Sequence, residues 1–360
     1  MENFTCQATI EAVIDRTMKM DLTWDWSCGV AYYGICRVYE VTGDQEVLTE
    51  LKERVDELIA LGFAGDWTVN KCAMGHCLIT LYEVFGEEKY LDLLLSKVDY
   101  LEKRALRFGD GVLQHTVSNH DDFPEQAWAD TLFMAGMFLL RMGILLKRQD
   151  LIEDALHQYY WHIQYLQNQR TGLFYHGYDH RQKNNLSACY WGRANAWCAY
   201  TMSQVKRRLP EAYLYPKFMD VQASLDEQLA SLKTYQSETG LWRTILDDAT
   251  SYEEVSAAAG IAAAMVANDN PLHRKYIRRA IPGLLANVAP DGRVENVSAG
   301  TAVMKTIPDY QAISRQWIQG WGQGLLLTFL AECLANPHSA SLLAENETQE
   351  EEKNECITSR

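Results

Sequence analysis

The sequence predicts an all-α protein, an (α/α)6 barrel in which six helical hairpins close into a toroid of inner and outer helices. Three observations predict it. From about Gln7 to Ala335, apolar positions recur at three- and four-residue spacing and strand-like alternation is scarce. Two stretches read as copies of one unit, Arg37-Val-Tyr-Glu-Val-Thr-Gly-Asp44 and Thr80-Leu-Tyr-Glu-Val-Phe-Gly-Glu87, each followed by a second amphipathic segment. Turn dipeptides before an apolar residue, Asp110-Gly111, Thr171-Gly172, Thr239-Gly240 and Asp291-Gly292, fall roughly 50 to 70 residues apart, the length of a helix pair with its loops. A helical solenoid competes with the barrel, but its repeats would be more alike in length.

In chain order, Trp24-Asp-Trp-Ser-Cys-Gly29 opens the first inner helix with two indoles. That helix ends at Gly43, which tolerates the left-handed conformation of a helix end, and Val47–Leu61 forms the second arm. Asn70-Lys-Cys-Ala-Met-Gly75 opens the next inner helix, and Lys89–Lys103 pairs with it. A helix starting near Pro124, a residue suited to the first turn, carries Trp128, Asp130, Phe133 and Met134. Leu139–Asp150 and Leu151–Gln167 repeat the hairpin without a Gly, and a further helix starts at Trp191-Gly-Arg-Ala-Asn-Ala-Trp197. Residues 1–340 are read as one barrel domain. Residues 341–360, with the run Glu345-Asn-Glu-Thr-Gln-Glu-Glu-Glu-Lys-Asn-Glu355, are read as an acidic, disordered tail.

With 360 residues, 48% of them hydrophobic, the chain can bury a large core. No run of about 18 apolar residues suggests a membrane span, and the N-terminus lacks a secretory pattern, so a cytoplasmic location is expected. A net charge of −15 argues against nucleic acid or an anionic membrane as partner. Nine scattered Cys without Cys-x-x-Cys spacing read as buried thiols, with no zinc site and no disulfide framework. No metal or cofactor is expected, since neither metal-ligand spacing, a phosphate loop nor a Ser elbow is present.

The chemistry centres on Asp130, a lone acid in an aromatic and apolar segment. A dry setting disfavours the charged carboxyl and would keep it protonated near neutral pH, able to donate a proton. A structural Asp bonded to a helix end or an Arg is the alternative. Trp26, Asn70, Lys71, His115, His120, Trp128, His176, Tyr178, Arg193 and Trp197 are the residues that could line a pocket at the same rim. A Trp or Tyr at a helix start is more often core, and a lone His is more often a satisfied structural group. Arg193, among small residues and one turn from Trp197, needs a paired anion if buried. Asp130 or a substrate carboxylate could be that anion. Indoles, phenols, imidazoles and an Arg around a buried acid describe a carbohydrate site.

The chain resembles glycoside hydrolase family 105, the unsaturated rhamnogalacturonyl hydrolases, and more distantly the unsaturated glucuronyl hydrolases. The resemblance spans about residues 20–335 and is carried by Gln126-x-Trp-x-Asp130, Thr171-Gly-Leu-x-Tyr-His-Gly-Tyr-Asp179, Trp191-Gly-Arg-Ala-x-x-Trp197, Tyr252-x-Glu-x-Ser256 and Ser298-Ala-Gly-Thr301 ahead of Gly320-x-Gly-x-Gly324. It implies a hydrolase that releases a terminal 4,5-unsaturated uronic acid, unsaturated galacturonate first, from lyase-generated oligosaccharides by hydration of the enol-ether double bond. Asp130 falls on the family's acid/base, and Trp26, His176, Arg193 and Trp197 fall on substrate contacts. Asn70 and Lys71 depart from the family, which commonly has an Asp at position 70, and either His115 or His120 matches a pocket His. A sugar 2-epimerase and a catalytically silent sugar-binding protein are the competing functions.

Overall fold

In this computed structural model the described residues are 6–62, 64 and 67–358. Their helices are α1 (Cys6–Met18), α2 (Trp26–Thr42), α3 (Gln45–Ala60), α4 (Met74–Phe85), α5 (Glu88–Lys103), α6 (Met137–Leu146), α7 (Gln149–Leu166), α8 (Gly192–Arg208), α9 (Phe218–Leu232), α10 (Val255–Ala267), α11 (Arg274–Leu285), α12 (Ile307–Gln311), α13 (Gly320–Ala335) and α14 (Pro337–Thr358). Helices that are apolar all round must be covered on every side. α10, VSAAAGIAAAMVA, and α13 are of this kind and are buried through almost their whole length. Together with α2, α4, α6 and α8 they form an inner ring that closes where α13 packs on α2.

The outer helices bury a single stripe, as Leu48, Leu51, Val55 and Leu58 do on α3. α3 packs on α2, α5 on α4, α7 on α6, α9 on α8 and α11 on α10. The N-terminal α1 supplies the outer partner of α13 and completes the sixth hairpin. The all-α barrel read from periodicity is therefore the observed fold. α2 and α4 end as expected at Gly43 (φ 71°) and Gly86 (φ 65°). In the hairpin without a Gly, Lys147 takes the left-handed position (φ 54°).

Two expectations are corrected. Pro124 does not start a helix: after the short antiparallel pair β1 (Arg107–Phe108) and β2 (Val112–Leu113), Gln126–Trp128 is a strand, β3, paired antiparallel with β4 (Gly177–Asp179), and helical structure begins at Asp130. The backbone of this stretch is committed to the neighbouring chain, since the His115 N–H donates to the Gln126 carbonyl and the Ala129 N–H to that of His176. Nor does the chain leave its helix at 341. α14 runs through Thr358, because Leu342 and Leu343 are buried against the body and carry the helical register into the acidic run.

The barrel has two unlike ends. At the C-terminal ends of the inner helices, Arg37 pairs with Glu40 and, at 3.1 Å, with the buried Glu332, which also accepts from the Tyr200 hydroxyl at 3.1 Å. At the other end the chain returns from α3, α5, α7, α9 and α11 through loops with a left-handed Gly, and from α1 through a loop without one, to the next inner helix, so the inner N-termini converge there. Cys6, Cys28, Cys36, Cys72, Cys77, Cys189, Cys198 and Cys333 are buried and form no disulfide with one another. No described helix is long and apolar enough to cross a membrane.

Candidate active site

The converging N-termini surround a cavity of about 170 Å³. Trp26 opens α2, Asn70 opens a short 3-10 turn ahead of α4, Asp130 stands just before the π-helical stretch Leu132–Gly136 that leads into α6, and Arg193 lies in the first turn of α8. All four line the cavity, with His115, Trp128, Trp191 and the small-residue segment Gly300–Ala302. Helix N-termini carry partial positive charge and favour an anion. The space suits one sugar ring, being the volume of about six liquid waters at about 30 Å³ each.

The walls are aromatic and ordered by stacking. His115 lies flat on Trp128 (centroids 4.5 Å apart, 9° between planes) while its Nδ1 meets the Thr131 hydroxyl at 3.0 Å. Trp26 stacks on Trp321 at 4.3 Å. Burial holds His115 near neutrality's far side, its pKa pushed down to about 4, so it is uncharged at pH 7.

Asp130 keeps 14% of its side-chain surface, and its Oδ2 lies 3.2 Å from Nε2 of the fully buried His176. The approach is close, but the N–H is poorly aligned and neither atom has another partner. On the far side of the ring the Tyr310 hydroxyl meets Nδ1 at 2.9 Å and accepts from the Met304 N–H at 3.2 Å. Since that hydroxyl has its proton free to give, Nδ1 is the acceptor and Nε2 carries the hydrogen facing Asp130. Burial pushes the Asp130 carboxyl up, but His176, His115 and Arg193 together outweigh it and hold the pKa below the usual carboxylate value. The free protein thus carries Asp130 ionised, which corrects the expectation of a protonated acid. The dry setting is real, but the two imidazoles and the Arg193 cation around it are stronger.

Arg193 is 1% exposed. Its guanidinium donates to the Ser298 hydroxyl (2.8 Å) and carbonyl (3.0 Å), the Ala299 carbonyl (2.9 Å) and the Thr301 hydroxyl (3.2 Å), and sits over Trp191 at 4.5 Å. Its anionic partner is Glu254, at 3.5 Å, rather than Asp130. Glu254 is itself saturated by Ser256, the Ala257 N–H and the Ser298 N–H. Arg193 therefore pins the 298–301 segment over the cavity. Glu254 lies in the Tyr252-x-Glu-x-Ser256 motif, but its role depends on a contact between the neighbouring inner helices α8 and α10, which are far apart in sequence.

The other anticipated residues lie elsewhere. His120 is on an exposed loop, so between the two histidines it is His115 that faces the cavity. Tyr178 stacks on Tyr165 (4.7 Å, 5°), and Trp197 is buried against Phe133. The Lys71 carbonyl accepts from the buried Lys97 ammonium, and Lys71 is not in the lining. Trp191, Gly300 and Thr301 lie in motifs that carry the resemblance but are not among the expected lining residues, the first because an indole at a helix start reads as core and the others, like Ala302, because small residues carry no chemical signature.

Comparison with known proteins agrees with this fold. Residues 2–336 match the profile of Glycosyl Hydrolase Family 88. The chain is 45% identical over 328 residues, 91% of its length and 94% of the relative's, to the unsaturated rhamnogalacturonyl hydrolase YesR of Bacillus subtilis. A solved structure of a possible member of family GH105 from Salmonella enterica superposes with a TM-score of 0.84 at 27% identity, covering 91% of this chain and 93% of that one. The unsaturated glucuronyl hydrolase of Bacillus sp. GL1 shares the fold at a TM-score of 0.66 and 18% identity, covering 91% and 96%.

Proposed function

The chain belongs to glycosyl hydrolase family 88, and from that premise we propose that it removes a terminal 4,5-unsaturated uronic acid, unsaturated galacturonate first, from short oligosaccharides left by a polysaccharide lyase, with Asp130 as its acid and base. One observation carries the reading: among the described residues lining a sugar-sized, aromatic-walled cavity, Asp130 is the one carboxyl. Ordinary retaining and inverting glycosidases need a pair. Hydration of an enol ether needs one.

In the proposed reaction the Asp130 proton goes to C4 of the unsaturated ring, and the electron pair of the double bond forms the new C–H bond. Positive charge develops at C5 and the ring oxygen. Water adds to C5 and returns its proton to the carboxylate. The resulting hemiketal opens and the neighbouring sugar leaves as an alcohol. Asp130 must first gain a proton, and the substrate itself promotes this: it expels water from around the carboxyl and brings a like-charged uronate carboxylate, both of which raise the pKa. The uronate is favoured by Arg193 and the helix N-termini, and Trp26 and Trp128 offer faces to the sugar ring.

The test follows loss of the conjugated-alkene absorbance on unsaturated rhamnogalacturonan disaccharide. Asp130→Asn should lower kcat by about 10²- to 10⁴-fold, the usual worth of a general acid, with substrate binding retained by calorimetry. Undiminished turnover in the variant removes Asp130 from the role.

A further inference from the structure

This inference rests on the hydrolase reading and concerns the part of the substrate that leaves. Next to the Asp130 cavity lies a larger cleft of about 710 Å³, and the two share Phe123, Trp128 and Ala302 as walls. It is too large for a single sugar. Its polar lining is mostly amide: Gln126, Gln182, Asn184 and Asn185. Amides both donate and accept, which suits hydroxyls, and Tyr175 adds an aromatic face. The amides are held in place. Asn185 donates to the Tyr165 carbonyl at 2.9 Å, and the Asn184 side chain accepts the Leu186 N–H at 2.9 Å.

One stretch of chain runs from the inner cavity to the outer cleft. Gly300, Thr301 and Ala302 line the first, and Ala302, Val303 and Lys305 line the second. Thr301 to Lys305 is four residues, at most about 14 Å in extended chain, a reach longer than one sugar ring. Lys305 is exposed, and it is the one charged side chain among the described residues lining the cleft, none of which offers it a carboxylate. An ammonium set among amides and aromatic faces is the arrangement that reads a charged group on an otherwise neutral chain.

We propose that the cleft holds at least two sugars beyond the bond that breaks, and that Lys305 pairs with the carboxylate of a second uronate there, so that the enzyme prefers an alternating oligosaccharide to a disaccharide with a neutral leaving sugar. The experiment compares kcat/KM for an unsaturated disaccharide with a neutral second sugar, for the tetrasaccharide carrying an internal uronate, and for that tetrasaccharide methyl-esterified at the internal uronate alone. Wild type should favour the acidic tetrasaccharide over the disaccharide by about three- to fivefold more than it favours the ester, the range an exposed ion pair provides. Lys305→Gln should abolish that increment and Lys305→Arg should keep it. Equal preference for acid and ester in wild type, or an increment surviving in Lys305→Gln, overturns the assignment of Lys305. Wild type that consumes none of the three substrates overturns the hydrolase reading itself.

Discussion

At the scale of a residue, the charge state of Asp130 is decided by what surrounds it. Burial alone would make it a weak acid, yet His176, His115 and Arg193 keep it ionised in the free protein. Asn70 lines the same cavity and carries no charge. Asn70→Asp should introduce a like charge and raise the Asp130 pKa. Because the protonated carboxyl is the active form, the alkaline limb of kcat/KM should move up by about one pH unit. A pH–rate profile measures this, and an unmoved midpoint means that the two side chains do not interact. The identity of these residues was legible in the sequence: Trp26, Asn70, Trp128, Asp130 and Arg193 are expected there, with His115 as one of two candidates beside His120, and all six line the cavity. The sign of the pKa shift was not. It depends on His176 reaching Asp130 across the β3–β4 pairing, and on Arg193 finding Glu254 from another inner helix, contacts that no local pattern encodes.

At the scale of an element, the site depends on how closely the inner helices approach. α2 and α13 meet through glycines: a Cβ on Gly324 would lie 2.8 Å from the Ala31 Cα, and one on Gly34 2.7 Å from the Gly324 Cα. Backbone stands on both sides of the contact, so neither helix can give by rotating a side chain. Gly324→Ala gains helix propensity of about 1 kcal/mol, but it must push α13 from α2 at an overpacking cost of about 1–3 kcal/mol or more. The net change should be a lower Tm by differential scanning calorimetry. An unchanged or raised Tm would mean that the two helices separate freely. The helices themselves were legible, since the period of apolar residues and the Gly stops at 43 and 86 are local signals. The strand Gln126–Trp128 was not, because its partner is some fifty residues away and its aromatic composition suits either state.

At the scale of the whole molecule, the barrel buries imidazoles that it keeps uncharged. Burial lowers the pKa of His115, His162 and His273 to about 4, and those of His76 and His176 also lie below the ordinary value. In the unfolded chain each would titrate near 6.5. Between about pH 4 and 6.5 the unfolded state therefore binds protons that the folded state refuses, and stability falls with falling pH through that window. Above 6.5 both states are neutral and the effect is absent. Each such group contributes a slope of up to about 1.4 kcal/mol per pH unit, so acid unfolding should begin well above the carboxylate range. His162 isolates the effect, because it sits on the outer helix α7 with Nδ1 held by the Gln158 carbonyl at 2.8 Å and Nε2 without a partner, apart from the catalytic cavity. His162→Gln cannot take up a proton in either state. Denaturant titrations of wild type and variant at pH 7, 6, 5 and 4.5 should give converging stabilities as pH falls, with the wild type losing more. Parallel curves would show that His162 is protonated in the folded barrel, and would remove it from the acid response.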